Sequence, residues 1–468
     1  MNKLFLFFLT IVLCFSSCEK KRYFTGEMPG LQFSDDTIHF DTVFTSTGAV
    51  TRELRIKNPY RSWLLIDRIE LAGGDDSPFR MNFDGIPGTV FTDIEIAPAD
   101  SLFIFIDAFI DPNDSDNPVL ISDSIEFETG NNILDVNLIA WGQDINLVIS
   151  ATVETATWTE GKPYVVYNSM LVDTGQVLTI TEGARILFHR GSTMYVAGTL
   201  IVEGTVDKPV CFDSDRIEPM YSDIPGQWQG LYFLNGSTGN IIRNAGIRNA
   251  VSGLHAGNLE SEDPAPGLQL HNLIISHMSV SGISSLGADI YAENTVISHC
   301  GAYCAFLAMG GKYTFIHCTM ANQWDYSNRL SPALYISDFF DYNEERYTGE
   351  LVKAGFYNSV ITGNKDTEIY TDSHDEGNLD VEFVSCLIQS TDLLDYPCDN
   401  CILNQDPRFV SWSDYDFRPD TLSPLINAGS YYYADMVQFD LRGFDRLDDD
   451  GPDLGAYERQ TDEKAENK

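Results

Sequence analysis

Residues 323–350, QWDYSNRLSPALYISDFFDYNEERYTGE, place aromatic rings beside carboxylates along one short stretch. Aromatic faces stack on the C–H face of a sugar ring while carboxylates accept its hydroxyl protons. Trp324, Tyr326, Tyr335, Tyr342 and Tyr347 are therefore the candidate glycan contacts. A small satellite core closing a long loop also explains these aromatics and is the preferred reading of them. Glycoside hydrolysis needs two carboxylates about 5 to 9.5 Å apart, and Asp338 with Asp341, or Asp341 with Glu345, are the candidate catalytic pairs. Polysaccharide lyases use a Lys or Arg base, commonly beside carboxylates holding Ca²⁺. Lys312, Lys353 and Lys365 are the only lysines between Lys208 and the tail. The pattern favours noncatalytic binding over either kind of enzyme.

Three further sets of side chains carry chemistry. His277, His299 and His317 recur in similar tripeptides (SHM, SHC, IHC), at intervals of 22 and 18 residues, and are read as equivalent positions on successive rungs. A stack of imidazoles can hold a transition metal, but a corner ladder with local hydrogen bonds is the preferred reading. Cys398 and Cys401 form a C-x2-C pair suited to a local disulfide. Cys300 and Cys318 are read as buried thiols that could face each other. Asp445, Asp448, Asp450 and Asp453 cluster around Gly451 and offer hard oxygen ligands for calcium. A solvated capping loop also explains them and is preferred.

The chain has 468 residues and a formal net charge of −40. Such a field repels nucleic acid and anionic lipid and favours cations, neutral glycans or simple solubility. Hydrophobic residues make up 43% and aromatic residues 12% of the chain. That is enough for packed cores in two or three domains. Runs rich in Val, Ile, Thr, Tyr and Phe alternate with Gly, Asn and Asp, and no helical period persists, so the chain reads as all-β.

Lys3, the apolar stretch Leu4–Phe15 and the segment LCFSSC ending at Cys18 resemble the signal and lipobox of bacterial lipoproteins. The apolar run is too short to span a bilayer of about 30 Å. The resemblance implies cleavage of residues 1–17, acylation of Cys18, and an outer-membrane location on a lipid anchor, several acyl chains being needed for stable attachment. The side of the membrane stays open, because only Glu19 is acidic behind the cysteine. Residues 18–30 read as a tether.

Residues 31–147 contain seven strand-length runs separated by turns, from IHFDTVF to ILDVNLIAWG, the pattern of a β-sandwich. Their order resembles immunoglobulin-like domains of cilia-associated and bacterial surface proteins, which implies a spacer or docking module. Arg55-Ile56-Lys57, a tripeptide also found in polysaccharide hydrolases, falls in one of these strands and is read as coincidence.

From 148 to 412, strands and Gly-bearing turns recur on a beat of about 20 residues, the length of one coil of a solenoid. The opening LTITEGARILF…MYVAGTLIVEGTVDKPVCF and the closing DPRFVSW…DLRGFDRLDDDGPDLGAYE resemble bacterial parallel β-helix proteins of the pectate-lyase-like superfamily. The resemblance implies a right-handed parallel β-helix, with residues 413–458 as a C-terminal capping segment and 459–468 a polar tail. It says little about chemistry, since that superfamily holds lyases, hydrolases, epimerases and inactive members. Three stretches fit the coils poorly and are expected to be loops: 213–227, 254–267 and 323–350. The resulting expectation is an envelope lipoprotein binding polysaccharide or envelope proteins without catalysis. A polysaccharide lyase or hydrolase, or a structural solenoid, is the alternative.

Overall fold

The computed structural model describes residues 21–25, 30–45, 47–48, 51–112, 114–259, 261, 263–374, 379–391, 397–448 and 450–460. Cys18, the signal segment and the end of the polar tail lie outside the described residues. The chain divides after Asp144 into two units, just before the boundary read from sequence.

In the first unit the seven expected strands all form, and three short ones join them. One five-stranded sheet runs, in spatial order, Gln32–Phe33, Arg52–Lys57, Ser101–Ala108, Phe79–Phe83 and Ile86–Gly88. The other runs Thr37–Phe44, Asn132–Gln143, Val119–Thr129, Leu64–Leu71 and Val90–Ile96. Alternation fixes which face is covered. In Arg52–Lys57, Leu54 and Ile56 are fully buried while Glu53, Arg55 and Lys57 face out. Phe79, Ile104 and Ile106 of one sheet and Ile66, Phe127 and Leu138 of the other belong to one core. The Arg55-Ile56-Lys57 tripeptide is an ordinary part of this sheet.

The second unit is dominated by one 26-stranded sheet with parallel pairing, a β-helix-like fold, with two short antiparallel strand pairs beside it. Val177–Thr181 pairs with Thr199–Glu203, and Asp289–Glu293 with Gly311–Ile316, each one coil further along the chain. Three ladders run through the unit. The first includes those strands; the second includes Arg185–Phe188 and Val296–Cys300; the third includes Thr193–Val196 and Tyr303–Ala308. Inward side chains stack coil on coil, as in Phe315, Phe356 and Phe383, whose rings are 5.1 and 5.2 Å apart and nearly parallel. No coil could bury these rings alone, so the coils stabilise one another.

Residues with positive φ turn the corners. Between the first and second ladders stand Asn244, Asn272, Asn294, His317, Asn358, Ser385 and Asn400. Asn tolerates the left-handed region better than most residues. Its amide also joins neighbouring coils: Asn272 Nδ2 donates to Asn244 Oδ1 at 3.0 Å, and Asn294 Nδ2 to Asn272 Oδ1 at 2.9 Å. Between the second and third ladders the equivalent positive-φ places are Asn249, His277 and His299, and Asn322 holds the next place in register without a positive φ.

This register corrects the reading of three equivalent histidines. His277 and His299 are neighbours at one corner, whereas His317 stands in the asparagine column of the other and is bonded to Asn358 through Nε2 at 3.0 Å. The shorter second interval was the sign. On this ladder Val296 pairs with Thr319 and Ser298 with Ala321, so the place equivalent to His299 falls at Asn322, beyond His317. Cys300 and Cys318 are likewise apart. Cys300 lies against Cys304, and Cys318 Sγ donates to Ala292 O and Ile316 O.

The C-terminal segment does more than close an end of the coils. Phe409, Phe417, Leu425, Leu454 and Ala456 pack on Val296, Ala321, Val360 and Leu387, which belong to successive coils of the second ladder. Arg446, fully buried, donates to Asn294 Oδ1 at 2.7 Å and pairs with Glu458 at 3.3 Å. The one α-helix among the described residues, Tyr431–Met436, lies in this segment.

Candidate functional site

The excursions from the coils sort between two corners. Residues 215–229 and 323–333 leave between a second-ladder strand and the following third-ladder strand, whereas 257–266 and 338–350 leave after the third ladder. The five candidate sugar contacts are divided accordingly.

Trp324 and Tyr326 belong to the first group, their rings 5.0 Å apart. Trp324 is buried at 7% exposure; its Nε1 donates to Ser327 Oγ and its carbonyl accepts from Asn364 Nδ2. It packs the loop and offers no open face to a sugar. Tyr326 is exposed and donates from its hydroxyl to Asp223 O at 2.6 Å, joining the two loops of this corner. Tyr335 is on the third ladder itself, stacked between Phe306 at 4.9 Å and Tyr370 at 5.8 Å. It continues a row with Tyr195, Tyr232, His255 and Ser284 that only the register reveals. Tyr342 and Tyr347 sit on an exposed hairpin of Phe339–Tyr342 and Glu345–Thr348.

The candidate catalytic carboxylates are near that hairpin and are occupied. Asp338 accepts from the backbone N–H of His374 at 2.7 Å and from Ser373 Oγ at 3.2 Å. Asp341 takes both Nε and Nη2 of Arg346 at 2.7 and 2.6 Å, which holds its carboxyl below the usual carboxylate range. Glu345 accepts from the Tyr347 hydroxyl. A general acid needs the opposite displacement, a raised pKa in a dry pocket.

No group of three or more His, Cys, Asp or Glu side chains among the described residues is placed to hold a metal ion. Asp445 accepts from Gln438 Nε2 and the Leu447 N–H, and Asp453 from the N–H groups of Asn427 and Arg459. The Asp450 carbonyl accepts from the Tyr431 hydroxyl, and Asp448 is in the same turn. These bonds tie the acidic residues into the C-terminal segment. Cys398 and Cys401 are free thiols lying against each other, a contact that lowers the Cys401 pKa.

The structure instead shows a groove of about 450 Å³ further along the corner between the second and third ladders. Gln323, Gly363, Gln389 and Asn404 come from successive coils and form its floor; Asp366, Asp406 and Trp412 rise beside them. Gln389 is held on both sides of its amide, accepting from Thr362 Oγ1 and donating to Lys365 O, and Asn404 is bonded twice to Ser390. The floor is therefore fixed. The side chains of Gln323, Asp366, Gln405 and Trp412 make no hydrogen bond among the described residues, and Asp406 uses only Oδ1, toward Arg408 N–H. Trp412 is positioned edge-to-face against Phe409 and Phe417, ring centroids 5.0 and 5.8 Å away.

The loop 323–333 that follows Gln323 is firmly held. Arg329 and Glu368, at 1% and 0% side-chain exposure, pair at 2.5 Å. Arg329 also donates to Asn322 O and Asn364 Oδ1, and Glu368 accepts from the N–H groups of Ala333 and Lys365. Gly363 permits this: a Cβ there would lie 2.6 Å from Asn322 O and against the Glu368 carboxylate.

Next along the same corner, the His277 and His299 rings stack at 5.2 Å, with Tyr415 set edge-on against both at 4.7 and 4.5 Å. Burial pushes both imidazoles down to about 4, the neighbouring ring adding to the effect at His277. Both ring nitrogens of His277, Nδ1 of His299 and Oδ1 of Asn249 are buried without a hydrogen-bond partner among the described residues. Stacked rings do not converge on one cation, and no metal group is found here among the described residues. At the start of the corner Asp215, its pKa raised by burial, lies 2.7 Å from His189 Nδ1, and His189 stacks on Tyr167 at 4.2 Å.

Sequence reasoning placed loops at this corner but missed Trp412, Asp366, Asp406 and Tyr415. Trp412 and Tyr415 stand inside the closing segment, whose pattern speaks for the fold alone, and Asp366 carries no local signal.

No family model matches this sequence, and no curated protein matches it. Among solved structures, one of a protein of unknown function from Porphyromonas gingivalis W83 aligns at 10% identity with a TM-score of 0.19, over 28% of this chain and 61% of its own. A family 123 glycoside hydrolase from Clostridium perfringens aligns at 8% identity and the same TM-score, over 27% of this chain and 30% of its own. The matches thus span less than two thirds of either relative's length, and at that similarity neither bears on this chain's fold or activity.

Proposed function

We propose that this chain is an envelope lipoprotein that binds glycans without catalysis: an acyl anchor on Cys18 at the outer membrane, an immunoglobulin-like spacer, and a right-handed parallel β-helix of the pectate-lyase-like kind carrying the binding groove. The observation that carries the reading is the groove beside Trp412. The Gln389 and Asn404 amides of its floor are locked by internal bonds, while the polar groups of Gln323, Gln405, Asp366 and the free Asp406 oxygen remain available to ligand hydroxyls. A rigid apolar platform with a few convergent polar groups is what a small-ligand site requires. The carboxylates expected to catalyse lie elsewhere and are neutralised or hydrogen-bonded.

The test is a glycan screen with the soluble chain starting at Glu19, scoring both retention and release of reducing or unsaturated ends. Binding without product, abolished in Trp412→Ala, is expected. Asp366 and Asp406 are the two acids of the groove, so product release lost in Asp406→Asn would replace binding by hydrolysis. No retention of any glycan would leave the structural reading.

A further inference from the structure

The charge of the groove narrows the ligand. Its lining carries Asp366 and Asp406 and neither lysine nor arginine. Of the cations beside the lining residues in sequence or structure, Arg329 is buried against Glu368, the Lys365 ammonium reaches the Arg329 carbonyl at 3.5 Å, and Arg408 meets Asp406 through its backbone N–H. What a ligand meets is therefore a tryptophan, neutral amides and two carboxylates, set in a protein of net charge −40. A uronate polymer, bringing one carboxylate per residue, would be repelled from this lining with no guanidinium or ammonium to receive it. A neutral sugar would be accepted, and a sugar bearing a protonated amine would gain a charge-assisted hydrogen bond at Asp366 or Asp406.

Resting on the glycan-binding reading, we infer that the groove selects amino-sugar oligosaccharides with free amines over their N-acetylated and uronate counterparts. Trp412 supplies the stacking that any hexose shares, and Asp366 and Asp406 supply the preference.

The experiment is titration calorimetry with three hexamers: β-1,4-glucosamine, its fully N-acetylated form, and galacturonate. Two partly exposed ion pairs give a preference of roughly tenfold for the amine over the acetamide, and no galacturonate binding is expected. The preference should shrink as salt rises from about 0.05 to about 0.5 M, because such pairs are screened. Attraction of a polycation to the whole acidic protein is the competing explanation. It is separated by the Asp366→Asn/Asp406→Asn double variant, which removes only 2 of 69 acidic residues. The amine-to-acetamide ratio should fall to about one in that variant. A ratio that survives the double substitution overturns the inference, as does galacturonate binding equal to that of the amine. Equal loss of both other hexamers in the variant also overturns it, since the carboxylates would then be reading hydroxyls, while the glycan reading would stand. Failure of all three hexamers to bind the wild-type chain would remove the glycan reading and the inference together.

Discussion

Two excursions that are adjacent in sequence, 323–333 and the hairpin 339–348, are held in opposite ways. The first is fastened from beneath by Arg329 and Glu368, which are buried and share five further hydrogen-bond partners: Ser331, Asn322, Asn364, Ala333 and Lys365. The second is a two-stranded hairpin whose one close ion pair, Asp341–Arg346, is 54% and 42% exposed. Residues that look like one aromatic loop are a rigid wall and a surface ribbon. A site that must hold a ligand in a fixed geometry belongs on the first kind of support.

Breaking the wall should have the largest effect. Glu368→Gln leaves the Arg329 guanidinium buried without its counter-ion, and removal of one member of a buried pair costs about 3–5 kcal/mol. Urea denaturation of the larger unit should show that loss, and Trp324 emission should shift toward that of a solvated indole under native conditions. An unchanged midpoint would mean that the loop is not held by this pair.

The histidine corner sharpens the comparison through pH. His277 and His299 titrate near 4 when folded and near 6.5 when unfolded. Between those values the unfolded chain therefore binds more protons than the folded one. Stability is then full above about pH 6.5 and falls as the pH is lowered toward 4, by about 3 kcal/mol for each ring at most. Below 4 both states are protonated and the slope from these groups ends. His277→Asn introduces the residue found at the same place on other coils, Asn249 and Asn322, and should flatten the decline between pH 7 and 5. A decline of the same steepness in that variant would assign it to other groups.

Binding should respond less to the hairpin than to the groove. Trp412→Ala removes the stacking face at a cost of about 1–3 kcal/mol by analogy with other ring-stacking contacts, a loss of about tenfold to a hundredfold in glycan affinity. Tyr342→Ala, on the exposed ribbon, should leave affinity within error. Equal losses from both would mean that the two corners form one surface after all.

Much of this arrangement was legible in the sequence, and most of the parts that were not share a cause. Strand runs such as RELRIK and SLFIFIDA announced the sandwich by alternation, and the recurrence of strand and turn announced the coils. Register was illegible, because coil length varies. Thr319 pairs with Val360 across a long excursion, but Leu387 pairs with Ile402 after a far shorter step. Without register, His317 looks equivalent to His299, and Tyr335 cannot be seen as one of a row from Tyr195 to Tyr370. The groove was hidden for the same reason, since Gln323, Gly363, Gln389 and Asn404 become neighbours only once the coils are stacked. Phe79–Phe83 escaped notice because RMN interrupts the apolar pattern between its two phenylalanines.

The smallest effect tests the other half of the contrast. Arg346 stands in solvent, and its pairing with Asp341 raises its own pKa while lowering that of the carboxyl, as any close pair would. At such a position the attraction is screened by water and offset by the cost of fixing a long side chain. The guanidinium also lies over the Phe339 ring, 4.0 Å from its centroid. The contact to lose is thus as much packing as charge. Arg346→Lys keeps the charge but not the planar fork or the stacking, and Arg346→Ala removes all three. Both should leave the urea midpoint of the larger unit unchanged and the affinity of the groove intact. If Arg346→Ala shifted the midpoint as far as Glu368→Gln, the hairpin would be part of the framework, and its candidate residues Tyr342, Tyr347, Asp341 and Glu345 would have to be reconsidered as a built site.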